Sequence, residues 1–276
     1  MRPLLLVLVV LVAACGADGS GNETIPAVTD SGILEVGIGD SVRYGDSPQQ
    51  VGSLRLPIDA GEGPFPVIAF IHGGFWRNTY DSSLSEPQAA DARSKGYATW
   101  NFEYRRVGDE GGGYPGTLDD IATAIDALAR IDAPLDLDRV VVVGHSAGGH
   151  LALWAGQRDD PVVVPRLVVG QAPVADLAGS LDLGRGAVEG FMGGTPEQIP
   201  EAYDDADPAR RLPVKVPQLI VHGLRDDDVP FEVVAPYIAA AGDGIDTLIF
   251  EDEGHYDVID PAAPSWEATL AYLAGI

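Results

Sequence analysis

Cysteine is almost missing from this chain, with Cys15 the only one in 276 residues. No intrachain disulfide can form, and the chain beyond Cys15 offers no thiol for nucleophilic chemistry. Basic side chains are also scarce, 17 Lys and Arg against 42 Asp and Glu, a formal net charge of -25. A surface of that sign repels phosphate backbones and anionic headgroups, which excludes nucleic acid as a partner. The acidic residues are scattered, with no block longer than Asp226-Asp227-Asp228, so they read as a solvated surface and not as a metal site. Apolar residues are not scarce: at 46% of the chain they suffice for a full core, and the length suits one large domain.

The first fifteen residues stand apart. Arg2 supplies a positive start, residues 4–12 are wholly apolar, and Val12-Ala13-Ala14-Cys15 closes with small residues before the cysteine. The apolar run is too short to span a bilayer, which takes ~20 residues. This pattern resembles a bacterial lipoprotein signal, which implies cleavage before Cys15, lipidation of that residue and an exported, membrane-anchored or secreted protein; ordinary signal cleavage is the alternative. Residues 16–40 begin small and polar and are expected to be a flexible linker, leaving 41–276 as the folded domain.

From there strand and helix patterns alternate. Continuous apolar runs at 66–71, 140–143 and 167–169, and the run that follows Gln218 in 218–221, predict strands buried on both faces, with others at 42–44, 51–56, 97–102 and 247–250. Helices are predicted at 83–95, 118–131 and 150–156, between the last two strands, and at 266–273. In the second of these, Ile121, Ala124, Ile125, Leu128 and Ile131 recur at three and four spacing, with Asp119 and Asp120 in the first turn. Regular β-α alternation means an α/β fold, a mostly parallel sheet with helices on both faces. Residues 174–213 interrupt the alternation with glycines and prolines and are a candidate cap.

One junction carries chemistry. Gly144-His145-Ser146-Ala147-Gly148-Gly149 follows an apolar strand and opens a helix, the setting in which a Gly-x-Ser-x-Gly turn lifts a serine above the carboxyl edge of a sheet. Ser146 is therefore the candidate nucleophile, and the helix N-terminus that follows favours a developing oxyanion. A serine needs a base, and five histidines compete. His145 is expected to point away from its neighbour, His150 lies one helical turn on, and His72 and His222 each precede a glycine at a strand end, where structural imidazoles are common. His255, in a loop after the last strand, is the candidate base. For the carboxylate that orients it, spacing from Gly223 and Pro230 selects Asp226, with Asp227, Asp228 and Asp176 as alternatives. The pair Gly73-Gly74 after the 66–71 strand admits backbone N–H groups close to a substrate, so Gly73 or Gly74 together with Ala147 is the candidate oxyanion hole. Phe75, Trp76, Tyr104 and Tyr114 are candidate pocket residues.

With Ser146, Asp226, His255 and His72-Gly73-Gly74-Phe75-Trp76 in view, the chain resembles the esterase and lipase branch of the α/β-hydrolase fold. Tyr104-Arg105 and the 144–149 turn extend the likeness to the group of kynurenine formamidase-like and acetyl/feruloyl esterase-like proteins, from about residue 42 to the end. The resemblance implies hydrolysis of a small-molecule carboxylic ester, or of a small amide such as an aryl formamide, through an acyl-enzyme, with no metal or organic cofactor. It assigns no oligomeric state. Formamidase-like proteins are usually intracellular, so the export signal weighs against a kynurenine substrate. A more distant likeness to prolyl-oligopeptidase-type catalytic domains lacks the large N-terminal domain with which those enzymes select peptides.

Overall fold

The computed structural model describes residues 32–34, 36, 40–58 and 61–276. The expected signal segment, Cys15 and most of the expected linker lie outside the described residues. Within the linker, Leu34 is buried and donates its N–H to the Arg130 carbonyl at 2.9 Å, so the folded unit begins before residue 41. No helix among the described residues is long and apolar enough to cross a membrane.

Eight strands form one sheet: β1 (Ser41–Arg43), β2 (Val51–Arg55), β3 (Phe65–Ile71), β4 (Ala98–Phe102), β5 (Leu135–His145), β6 (Leu167–Gln171), β7 (Gln218–Gly223) and β8 (Ile245–Phe250). Their spatial order is β1-β2-β4-β3-β5-β6-β7-β8. The β1–β2 and β2–β4 pairs are antiparallel and all others parallel. Side-chain alternation divides the core: Val67, Ala69, Ile71, Val140 and Val142 enter one apolar layer, while Ile68, Phe70, Val141 and Val143 enter the other. The first layer is covered by α2 (Gly116–Ala127), α3 (Ala147–Ala155) and α6 (Phe231–Ala241), through residues such as Ile121, Leu151 and Val234. The second is covered by α1 (Glu86–Ser94) and α7 (Pro264–Leu273), with Trp266 at its centre.

Several boundaries shift from the sequence reading, and two of them have a clear structural cause. Strand β5 starts five residues early, at Leu135, because Phe65 pairs with Leu135 before a register shift at Pro66/Val67; the polar Asp136, Asp138 and Arg139 hide this half. Helix α2 ends at Ala127 and tightens into a 3-10 turn through Arg130. The 174–213 segment lies between β6 and β7 and folds into α4 (Ala187–Met192), α5 (Pro200–Ala206) and short 3-10 turns.

Because the central strands are parallel, His72, Ser146, Asp226 and His255 all follow strand C-termini and emerge at the same edge of the sheet.

Candidate active site

Ser146 sits between β5 and α3 at φ 56° and ψ -119°, a conformation that a residue with a side chain adopts only when its surroundings enforce it. The enforcement comes from packing. A Cβ on Gly144 would lie 2.1 Å from the Gly148 carbonyl oxygen, and one on Gly148 would lie 2.2 Å from that of Ile71. Glycine at both positions lets α3 start directly against the sheet. All nine residues of α3 are buried, and the Ser146 N–H donates to the Gln171 carbonyl at 2.8 Å.

His255 reaches the same place from β8. Its Nδ1–H donates to Asp226 Oδ2 at 2.7 Å, leaving Nε2 for the proton of an attacking hydroxyl. Asp226 Oδ1 accepts the backbone N–H groups of Asp228 at 2.9 Å and Val229 at 2.7 Å. Burial raises the Asp226 pKa, but the His255 hydrogen bond and charge and the Val229 N–H outweigh it and hold the carboxyl below its ordinary value. Of the alternative acids, Asp227 is exposed and Asp228 half-buried, and Asp176 accepts the Gly179 N–H at 2.7 Å.

The other imidazoles are structural. His145 Nε2–H donates to the His255 carbonyl at 2.8 Å and its ring lies 4.5 Å from that of His255, so it braces the base loop. Burial, with the His255 charge, brings His145 down to about 3, so it stays neutral. His150 accepts the Trp76 indole N–H on Nδ1 at 3.2 Å and donates from Nε2 to the Ala206 carbonyl at 2.9 Å; burial brings it down to about 4. His222 Nε2–H holds the Val229 carbonyl at 3.0 Å, fixing the loop that carries Asp226.

The 72–76 loop closes over the serine. A Cβ on Gly73 would stand 3.2 Å from Ser146 Cβ, and Gly74 adopts φ +113° against Tyr80. Phe75 and Trp76 are both left-handed, φ 56° and 55°. Trp76 is buried and stacks on Phe191 of α4 at 5.0 Å. Beneath the loop lies an ionic layer not foreseen from sequence. Glu103 Oε2 is 2.7 Å from Arg106 Nη1 and 3.5 Å from His72 Nε2, while Oε1 accepts the Ser82 N–H at 2.6 Å. Burial raises the Glu103 pKa, yet the His72 hydrogen bond and charge and the Ser82 hydrogen bonds bring it down to about 2. Arg106 also donates to the Tyr80 carbonyl.

Two of the four pocket candidates are corrected. Tyr104 is fully buried and stacks on His72 at 4.5 Å, its hydroxyl donating to the His72 carbonyl at 2.8 Å; it supports the loop from behind. Tyr114 donates its hydroxyl to Asp205 at 3.2 Å and lines a separate surface cavity beside α5. Phe75 and Trp76 line a recess that Ser146 also borders. Ser146 borders two small recesses. One, of about 30 Å³, also holds His255, Gly74, Tyr80 and Tyr256; the other, of about 10 Å³, holds Ala147, Phe75, Trp76, Leu183, Val188 and Asp228.

This geometry joins a strained serine, a carboxylate-anchored imidazole and a glycine loop at the edge of a parallel sheet, and residues 55–235 match the family model BD-FAE. The chain belongs to the BD-FAE family. BD-FAE is an α/β-hydrolase esterase family, and the matched span carries Ser146 and Asp226 but ends before His255. Esterase LipC of Mycobacterium tuberculosis is 28% identical over 271 residues, 84% of this chain and 64% of that protein. Dipeptidyl peptidase 8 of Mus musculus is 26% identical over 242 residues, 80% of this chain and 26% of that protein. The chain thus spans less than two thirds of the length of either relative. Among solved structures, esterase B from Lactobacillus rhamnosis superposes with a TM-score of 0.71 at 22% identity, covering 86% of this chain and 85% of that one, a likeness of fold.

Proposed function

We propose that this BD-FAE member is a serine carboxylic ester hydrolase that works through an acyl-enzyme. Ser146 Oγ attacks the ester carbonyl while His255 Nε2 takes its proton, and Asp226 holds the imidazole in the required tautomer. The N–H of Ala147, at the start of α3, and that of Gly73 or Gly74 donate to the oxyanion. His255 then protonates the departing alcohol, and the same imidazole activates the water that releases the acid.

The observation that carries this reading is the 2.7 Å His255–Asp226 hydrogen bond ending in a recess shared with Ser146. The small recess of about 10 Å³ beside Ser146, lined by Phe75, Leu183 and Val188 with Asp228 in its wall, supports acyl groups at the short end of a small-to-medium range. The test is the Ser146→Ala variant. It is expected to lose both hydrolysis of short p-nitrophenyl esters and labelling by a fluorophosphonate, and undiminished labelling would overturn the assignment. Turnover of aryl formamides in excess of esters by the wild type would shift the reading to an amidase with the same triad. We further propose that the domain is exported and held to a membrane through a lipid on Cys15, a reading supported by the first fifteen residues.

A further inference from the structure

The three aspartates after β7 divide into three roles. Asp226 binds His255, and Asp227 is exposed to solvent. Asp228 is half-buried and forms part of the wall beside Ser146, together with Phe75, Trp76 and Leu183. The turn fixes the backbone at this position: Asp226 Oδ1 accepts the N–H groups of both Asp228 and Val229, and Val229 is buried in the core.

The Asp228 carboxylate has no hydrogen bond or ion pair among the described residues; Arg185, exposed on the turn that carries Leu183, is unpaired as well and forms no ion pair with it. Arg77, from the 72–76 side, donates to the Gly184 carbonyl at 2.9 Å and lies over the Phe75 ring, and Arg225 pairs with Asp252. The charge is felt across the cleft. Tyr256, on the His255 side of Ser146, has its pKa raised first by burial and then by Asp228. A partly exposed carboxylate beside the nucleophile, without an internal partner, is a charge that a bound cation can meet. The net charge of -25 draws cations toward it from a distance.

We propose that Asp228 is a specificity-determining residue that selects esters bearing a positive charge a few bonds from the scissile carbonyl, and disfavours anionic ones. The inference rests on the esterase reading of Ser146. Cationic alcohols or acyl groups of the ammonium type are the substrate class it defines.

Three acetate esters of similar shape test it on the purified protein: acetylcholine, its uncharged isostere 3,3-dimethylbutyl acetate, and the anionic 2-acetoxyethanesulfonate. At low ionic strength kcat/KM is expected to fall about tenfold from cation to neutral ester and further for the anion, as opposite charges a few ångströms apart at a partly wetted wall require. Added salt compresses the series. In Asp228→Asn, which keeps the backbone N–H that Asp226 needs, the cation-to-neutral ratio is expected to drop to within about threefold of unity; a ratio cancels any loss common to both esters. Asp227→Asn is expected to retain the wild-type order. Equal rates for cation and neutral ester in the wild type, an undiminished ratio in Asp228→Asn, or an equal collapse in Asp227→Asn would each overturn the proposal. Absence of turnover for all three esters in the wild type would instead sink the esterase reading beneath it.

Discussion

Replacing Glu103 by glutamine removes one negative charge from behind the 72–76 loop while keeping the shape of the side chain and an acceptor for the Ser82 N–H. In the folded protein Glu103 lies at about 2 against an ordinary 4.5, because its contacts with His72 and Ser82 overcome burial. That depression corresponds to about 3 kcal/mol favouring the ionised form in the folded state. The sign follows from linkage. A carboxyl whose folded pKa lies below its unfolded one contributes stability that is complete above the unfolded value and is lost as pH falls through the folded value. The contribution of Glu103 is therefore full above about pH 5 and fades toward pH 2. Glutamine has no such term, and it leaves the buried Arg106 guanidinium with one anionic partner fewer. Urea unfolding followed by tryptophan fluorescence, at low protein concentration, measures wild type and Glu103→Gln at pH 7, 5, 4 and 3. The difference between them is expected to be about 3 kcal/mol at pH 7 and to shrink steadily below pH 5. A difference that stays constant from pH 7 to pH 3 would refute the electrostatic account and leave only a shape effect.

Asp226→Asn keeps the loop geometry but removes the charge opposite His255 Nδ1; kcat for a short p-nitrophenyl ester is expected to drop by on the order of 10³ to 10⁴-fold with a much smaller change in KM, and a drop below about tenfold would argue against Asp226 as the orienting acid. Intact-mass analysis of protein recovered from a bacterial host is expected to show a mature chain beginning at a lipidated Cys15, with the lipid mass lost in Cys15→Ser; a mature N-terminus other than Cys15 would favour ordinary signal cleavage.

Much of the fold was legible because the central strands are buried on both faces and so read as unbroken apolar runs, and because Gly144, Ser146 and Gly148 occur where a strand meets a helix. The legible parts of the site are local: Asp226 stands out by its distance from Gly223 and Pro230 along the same turn. What escaped is nonlocal. Whether Tyr104 faces a cavity or the back of His72 depends on the packing of β4 against β3, which one strand's pattern does not encode. The bracing of His255 by His145 spans 110 residues, and the Glu103 layer joins segments around residues 72, 82 and 106. The first half of β5 is invisible for another reason: its residues are polar, and only the pairing of Phe65 with Leu135 makes them a strand.

The neutral imidazole of His150 ties the 72–76 loop to the insertion between β6 and β7. One nitrogen receives the Trp76 indole and the other grips the backbone of the insertion at Ala206. Lengthening or exchanging the insertion would thus tug on the glycine pair through a single ring. An engineer who wants a new pocket without losing the catalytic alignment must keep a carbonyl where Ala206 now presents one.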